Sequence, residues 1–130
     1  MKQVEIMKAL ADENRLRILN LLSRNLLCVC EIETILGLNQ SNISRHLAKL
    51  RNNGIIIAEK DAQWVHYKID EQFKNENPQL WSHLENIFYR ISICAEDSKR
   101  YENYQEHGFT CQNIREDKDF VLKNIETDAV

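Results

Sequence analysis

The sequence predicts a mainly α-helical domain carrying one small β-hairpin. Three observations lead there. With three glycines and one proline in 130 residues, little material is present for an all-β fold full of tight turns. Apolar residues recur at helical spacing along most of the chain. Two short runs, Ile55-Ile56-Ile57-Ala58-Glu59-Lys60 and Trp64-Val65-His66-Tyr67-Lys68-Ile69, are strand-like instead.

The first helix is expected over 3–10, with Val4, Ile6, Met7 and Leu10 on one side. Asp12 can cap the second by accepting from free backbone N–H groups. Leu16, Ile18, Leu19, Leu21 and Leu22 then give a broad core-facing surface. After a polar break at Ser23-Arg24-Asn25, a third helix runs from about Val29 to Leu36, ended by Gly37, as glycine does best just past a C-terminus. The turn Gly37-Leu38-Asn39 leads into a fourth helix from about Gln40 to Asn52, on which Ile43, Leu47 and Leu50 form the buried stripe.

A helix, a short glycine-containing turn and a second helix make a helix-turn-helix, whose second helix lies in the major groove. A β-hairpin directly after it is a wing, so the predicted fold is a winged helix-turn-helix. The hairpin turn, Asp61-Ala62-Gln63, lacks the glycine that usually supplies positive φ. A longer or less regular loop is therefore expected.

On the fourth helix Gln40, Ser41, Ser44, Arg45 and Lys49 lie away from the stripe. Arg45 suits guanine, Gln40 suits adenine, and the serines suit bases or phosphates. Asn42 and His46 on the same helix complete the candidate reading set, and Lys60 and Lys68 of the wing are placed to reach phosphates. The formal net charge is −3, adverse for a DNA binder. Its distribution is not. Residues 95–130 hold nine acids against five bases, whereas Arg45, Lys49, Arg51 and Lys60 face Glu59 alone within 36–60.

Pro78 fits the first turn of a further helix. Along it Leu80, Trp81, Leu84, Ile87, Phe88, Ile91 and Cys94 recur at helical spacing, more apolar surface than a small domain needs. Leu80, Trp81, Leu84, Ile87, Phe88 and Ile91 are therefore read as a homodimer interface. Residues 1–95 make up the DNA-binding and dimerisation domain. Residues 96–130 make up a helical extension to about Tyr104 and an acidic, partly flexible tail. The stretch Val4–Leu22 is broken by Lys8, Asp12, Glu13, Arg15 and Arg17, so it is neither a secretory h-region nor a membrane span. A cytoplasmic protein is expected, and in that compartment four cysteines point to metal binding, redox sensing or burial before structural disulfides.

Leu27-Cys28-Val29-Cys30-Glu31-Ile32, then Gly37 through Leu47, then the wing ending Trp64-Val65-His66-Tyr67, together resemble the ArsR/SmtB family over roughly residues 3–94. The resemblance implies a bacterial homodimeric repressor that binds a double-stranded inverted-repeat operator. It needs no cofactor for binding DNA and is released by a metal or metalloid ion. The family's DNA-contacting positions fall on Gln40, Ser41, Ser44 and Arg45, and its thiolate pair falls on Cys28 and Cys30. The family's Asp/His zinc site on the last helix is not matched, since that helix offers only His83 with Glu85 nearby. The third cysteine that arsenic repressors carry within the same helix is missing too.

Soft thiolates select thiophilic ions. Trivalent arsenic or antimony takes three sulfurs, so the third must come from Cys94 or Cys111, with Cys111 favoured because its segment can fold over the pair. On an intact helix residues i and i+2 point about 200° apart. Ion binding by Cys28 and Cys30 is thus expected to unwind the start of the third helix and disturb the DNA-binding pair.

A thiol redox or persulfide switch joining Cys28 or Cys30 to Cys94 is the alternative within the same family. A thiol-dependent enzyme would need an anion-binding loop beside a cysteine, and no Gly-rich or arginine-bearing loop surrounds one. A winged helix used only for protein contacts is the remaining alternative.

Overall fold

In the computed structural model, which describes residues 1–126, the chain folds as α1 (Lys2–Leu10), α2 (Glu13–Leu22), β1 (Leu27–Cys28), α3 (Val29–Leu36), α4 (Gln40–Asn52), β2 (Ile56–Asp61), β3 (Trp64–Ile69), α5 (Glu71–Glu76), α6 (Pro78–Phe88), α7 (Ser92–Glu106), α8 (Cys111–Glu116) and α9 (Lys118–Ile125). The expected winged helix-turn-helix is present. Asp12 caps α2, accepting from the Arg15 N–H at 3.1 Å. Gly37 closes α3 at φ 69°, ψ 28°, a left-handed conformation in which a Cβ would be strained. Asn39 caps α4 through the Asn42 N–H at 2.9 Å. Ile43, Leu47 and Leu50 are buried with Ile18, Leu19, Ile32 and Ile35 in one core.

The sheet has a third strand. β1 pairs antiparallel with β3 in the order β1-β3-β2, with Leu27 opposite Tyr67 and Cys28 opposite His66. The hairpin is tighter than expected. Asp61 pairs with Trp64, leaving the two-residue loop Ala62-Gln63. Ala62 supplies the positive φ itself, at 55°, which costs an L-residue roughly 1–2 kcal/mol.

The C-terminal third differs most from expectation. The apolar run from Pro78 to Cys94 is two helices, broken at Tyr89-Arg90-Ile91, and Ile91 is the N-cap of α7. Trp81, Leu84 and Phe88, read above as dimer-facing, are buried within the chain. Trp81 packs edge-on to Phe73 and to Phe88. These three side chains fill the chain's own core, and Leu80, Ile87 and Ile91 stay half-buried. Nor is 111–125 a loose tail. It forms α8 and α9, with Val121 and Ile125 fully inside, packed against α3 and α7. The expected flexibility of 127–130 lies outside the described residues.

Helix α7 holds α3 at both ends. At the C-terminus, Asp97 is fully buried and accepts from Arg17 Nε at 2.8 Å, Arg17 Nη2 at 3.0 Å and Arg100 Nη2 at 2.5 Å. Arg17 also donates to the Leu36 carbonyl at 2.9 Å, and Arg100 to the Ile35 carbonyl at 2.8 Å. Both carbonyls belong to the last turn of α3, which lacks helical partners there. At the N-terminus, Tyr104 Oη donates to Glu31 Oε2 at 2.5 Å. The first helix of the DNA-binding pair is therefore anchored to an element outside that pair.

Candidate functional site: a three-sulfur centre beneath the DNA-binding helices

Three cysteines converge at the start of α3. One sulfur each from Cys28, Cys30 and Cys111 lies within 4.8 Å of the other two. Cys28 and Cys111 are joined as a disulfide, and the Cys30 sulfur lies 3.0 Å from that of Cys28. Cys94 is outside this cluster, buried and free.

Local structure explains the convergence. Cys28 is the N-cap of α3, with extended backbone at φ −87°, ψ 166°, while Cys30 is in the first turn. Because Cys28 stands off the helix, the 200° separation of an i, i+2 pair does not apply. The two sulfurs meet with α3 intact, so the i, i+2 separation gives no reason for the start of α3 to unwind. Glu31 fixes the cap by accepting from the Cys28 N–H at 3.1 Å. Cys111 arrives from the other side as the first residue of α8, where Thr110 and Asn113 form a reciprocal capping box. Arg115 of α8 stacks over the Trp64 ring of the wing, 5.2 Å from its centroid.

The Cys30 thiol is pushed up to about 11 by burial first and by the Glu31 carboxylate second. At neutral pH it is a thiol, so burial together with the acidic neighbours outweighs whatever the helix terminus offers. An incoming ion must displace a proton, which strongly thiophilic ions do. Burial raises the Tyr104 hydroxyl above its ordinary range, and its bond to Glu31 adds to this. It remains a neutral donor to the carboxylate.

On the reading helix Gln40, Ser41, Ser44, Arg45 and Lys49 are exposed and Asn42 is half-buried. Arg45 Nη2 donates to Asn42 Oδ1 at 3.0 Å, which holds the guanidinium along the exposed face. His46 is a correction. It is buried, with its Nδ1 3.2 Å from Arg15 Nη1, so it packs under the helix and cannot reach a base edge. The Lys68 ammonium is paired with Glu59 on the neighbouring strand at 2.8 Å, at the surface. Lys60 is exposed.

Two features escaped the sequence reading. Strand β1, only two residues long, carries no periodicity to detect. Tyr104 gave no signal, because its partner Glu31 is 73 residues away.

Residues 12–58 match the model for bacterial regulatory proteins of the arsR family. The chain is also 38% identical over 109 residues to the arsenical resistance operon repressor of Escherichia coli (strain K12), covering 74% of this chain and 92% of that one. The chain belongs to the ArsR family. Among solved ArsR-like folds, it is similar to reduced HlyU from Vibrio cholerae, with 36% identity, a TM-score of 0.57, and 68% of this chain and 86% of that one covered. A homodimeric winged helix-turn-helix domain from Mycobacterium bovis, described as a possible ArsR-family regulator, gives 26% identity and a TM-score of 0.57, covering 68% and 82%. As an ArsR-family member the chain is a transcriptional regulator, as its relatives are, and not an enzyme.

Proposed function

We propose that this repressor controls a metal- or metalloid-resistance operon, and that As(III) or Sb(III) releases it from operator DNA by binding Cys28, Cys30 and Cys111. One observation carries the reading: three sulfurs from two distant segments meet at the cap of the first DNA-binding helix. Trivalent arsenic asks for three soft donors in one place. The relative from Escherichia coli is named for arsenical resistance, and the Mycobacterium bovis domain is a homodimer. We take this chain to be a homodimer as well, with Leu80, Ile87 and Ile91 left for the partner.

Release follows from population shift. Ion binding needs all three thiols, so it fixes α8 against the cap of α3. Helix α3 leads through the Gly37 turn into the reading helix, and α8 touches the wing through Arg115. An ion that binds the closed arrangement better than the DNA-bound one must weaken DNA binding by the same factor. Reduction of the Cys28–Cys111 bond by a thiol reductant, two electrons and two protons, restores the thiols that the ion takes.

The disulfide itself favours a second reading, a redox switch between Cys28 and Cys111 in place of the Cys94 pairing expected from sequence. One titration separates the two. Arsenite is added to the protein–operator complex in reducing buffer, followed by fluorescence anisotropy. The metalloid reading requires release by arsenite in the wild type and the Cys94→Ser variant, and none in Cys28→Ser, Cys30→Ser or Cys111→Ser. Release only by peroxide or polysulfide supports the switch. Normal arsenite release from Cys111→Ser refutes the three-sulfur site.

A further inference from the structure

The three sulfurs do not exhaust the donors at this centre. His66 stands directly opposite Cys28 across the β1–β3 pair. Side chains of opposed antiparallel residues share a face of the sheet, with Cβ atoms roughly 4.5–5.5 Å apart. Among the described residues, His66 Nδ1 is the one buried side-chain nitrogen or oxygen recorded without a hydrogen-bond partner. Such an atom ordinarily has a partner, because burying it alone is unfavourable. His66 also lines a cleft of about 430 Å³ whose walls include Cys111 and Glu31. An imidazole with an unpartnered Nδ1 thus stands opposite Cys28 of the three-sulfur cluster, with open space next to it.

Resting on the three-sulfur reading above, we propose that His66 is the fourth donor of this centre. It makes with Cys28, Cys30 and Cys111 a tetrahedral Cys3His site for a soft divalent cation of the cadmium or zinc type. The donor set is one that tetrahedral divalent sites use. A pyramidal trivalent ion is complete with three sulfurs and leaves the imidazole aside. His66 therefore sets which ions the centre accepts. In the present conformation the ring lies outside the 4.8 Å sulfur cluster, and the adjoining cleft gives it room to turn inward. Because His66 belongs to β3, its ligation ties the wing itself to the ion, a link that a three-sulfur complex does not make. The balance is simple. Each of three thiols gives a proton to solvent and forms one metal–sulfur bond, and the imidazole enters neutral, so a divalent cation gives a complex of net charge −1.

The test uses the full reduced chain loaded with cadmium chloride or with arsenite. X-ray absorption at the cadmium edge of the wild type is expected to show three sulfurs and one imidazole. His66→Gln is expected to lose the imidazole signature and to lower cadmium affinity roughly tenfold or more, with arsenite affinity unchanged. Wild-type cadmium held by sulfurs and water alone overturns the proposal, whatever the variant does. Equal weakening of cadmium and arsenite in His66→Gln also overturns it, since that outcome marks a structural histidine. If arsenite binds and cadmium shows no imidazole, this inference alone fails. If neither ion binds the wild type, the three-sulfur reading fails and takes this one with it.

Discussion

Replacing Asp97 by Asn tests whether α7 anchors the DNA-binding helices. The carboxylate is fully buried and accepts three hydrogen bonds, two from Arg17 and one from Arg100. Arg17 is itself buried, and its guanidinium is held charged chiefly by the hydrogen bond to Asp97. Asparagine keeps the shape but removes the charge, leaving a buried cation uncompensated. Breaking such a pair from one side costs about 3–5 kcal/mol, a large share of the roughly 5–15 kcal/mol that a domain possesses. With a urea slope of about 2 kcal/mol/M, the unfolding midpoint should fall by roughly 2 M. Lys118→Ala is the control, because the Lys118–Glu33 pair at 3.1 Å is solvent-exposed and should contribute less than about 1 kcal/mol. Since Arg17 and Arg100 also hold the last turn of α3, operator affinity should fall under conditions where Asp97→Asn remains folded. A midpoint shift no larger than that of Lys118→Ala would refute the argument that this network is dry and structural.

Ala62→Gly should stabilise the protein by roughly 1 kcal/mol, by relieving the left-handed strain at φ 55°, measured as a rise in urea midpoint. Arg45→Ala should weaken operator binding by roughly 1–3 kcal/mol and relax base preference, whereas His46→Gln should leave base preference untouched, as seen by gel shift on a mutated-operator panel. Burial holds the His46 pKa below its ordinary value, with Arg15 and Arg45 acting the same way against Asp12. The unfolded chain then takes up the proton first, so stability is full above the ordinary histidine pKa and declines as pH falls through it. Thermal melts of the wild type and His46→Gln between pH 8 and pH 5 should diverge accordingly, and parallel curves would sink this assignment. Cys94 is buried and Cys30 only half-buried, and both thiols are pushed up to about 11, so access alone should make Cys94 react with a thiol reagent far more slowly than Cys30 in the reduced protein.

The helix-turn-helix and wing were legible in the sequence because their information is local. A cap at Asp12, a glycine after Leu36, an apolar stripe at Ile43, Leu47 and Leu50, and a β-branched pair of strands each fix their own segment within a few residues. The candidate base-reading face followed from that stripe by exclusion. His46 was misread because the partner it packs against, Arg15, lies 31 residues earlier. Trp81, Leu84 and Phe88 were misassigned to a partner because an apolar stripe does not say which surface covers it.

The sequence by itself determined that two cysteines stand at the start of the first DNA-binding helix, and it favoured Cys111 over Cys94 as the source of a third sulfur. Only the tertiary structure brought Cys111 to the pair and left Cys94 apart, set Cys28 off the helix, and placed His66 opposite it. The physical reason is separation along the chain. Cys28 and Cys111 are 83 residues apart, and no local propensity encodes a meeting made by α8 and α9 packing against α3 and α7.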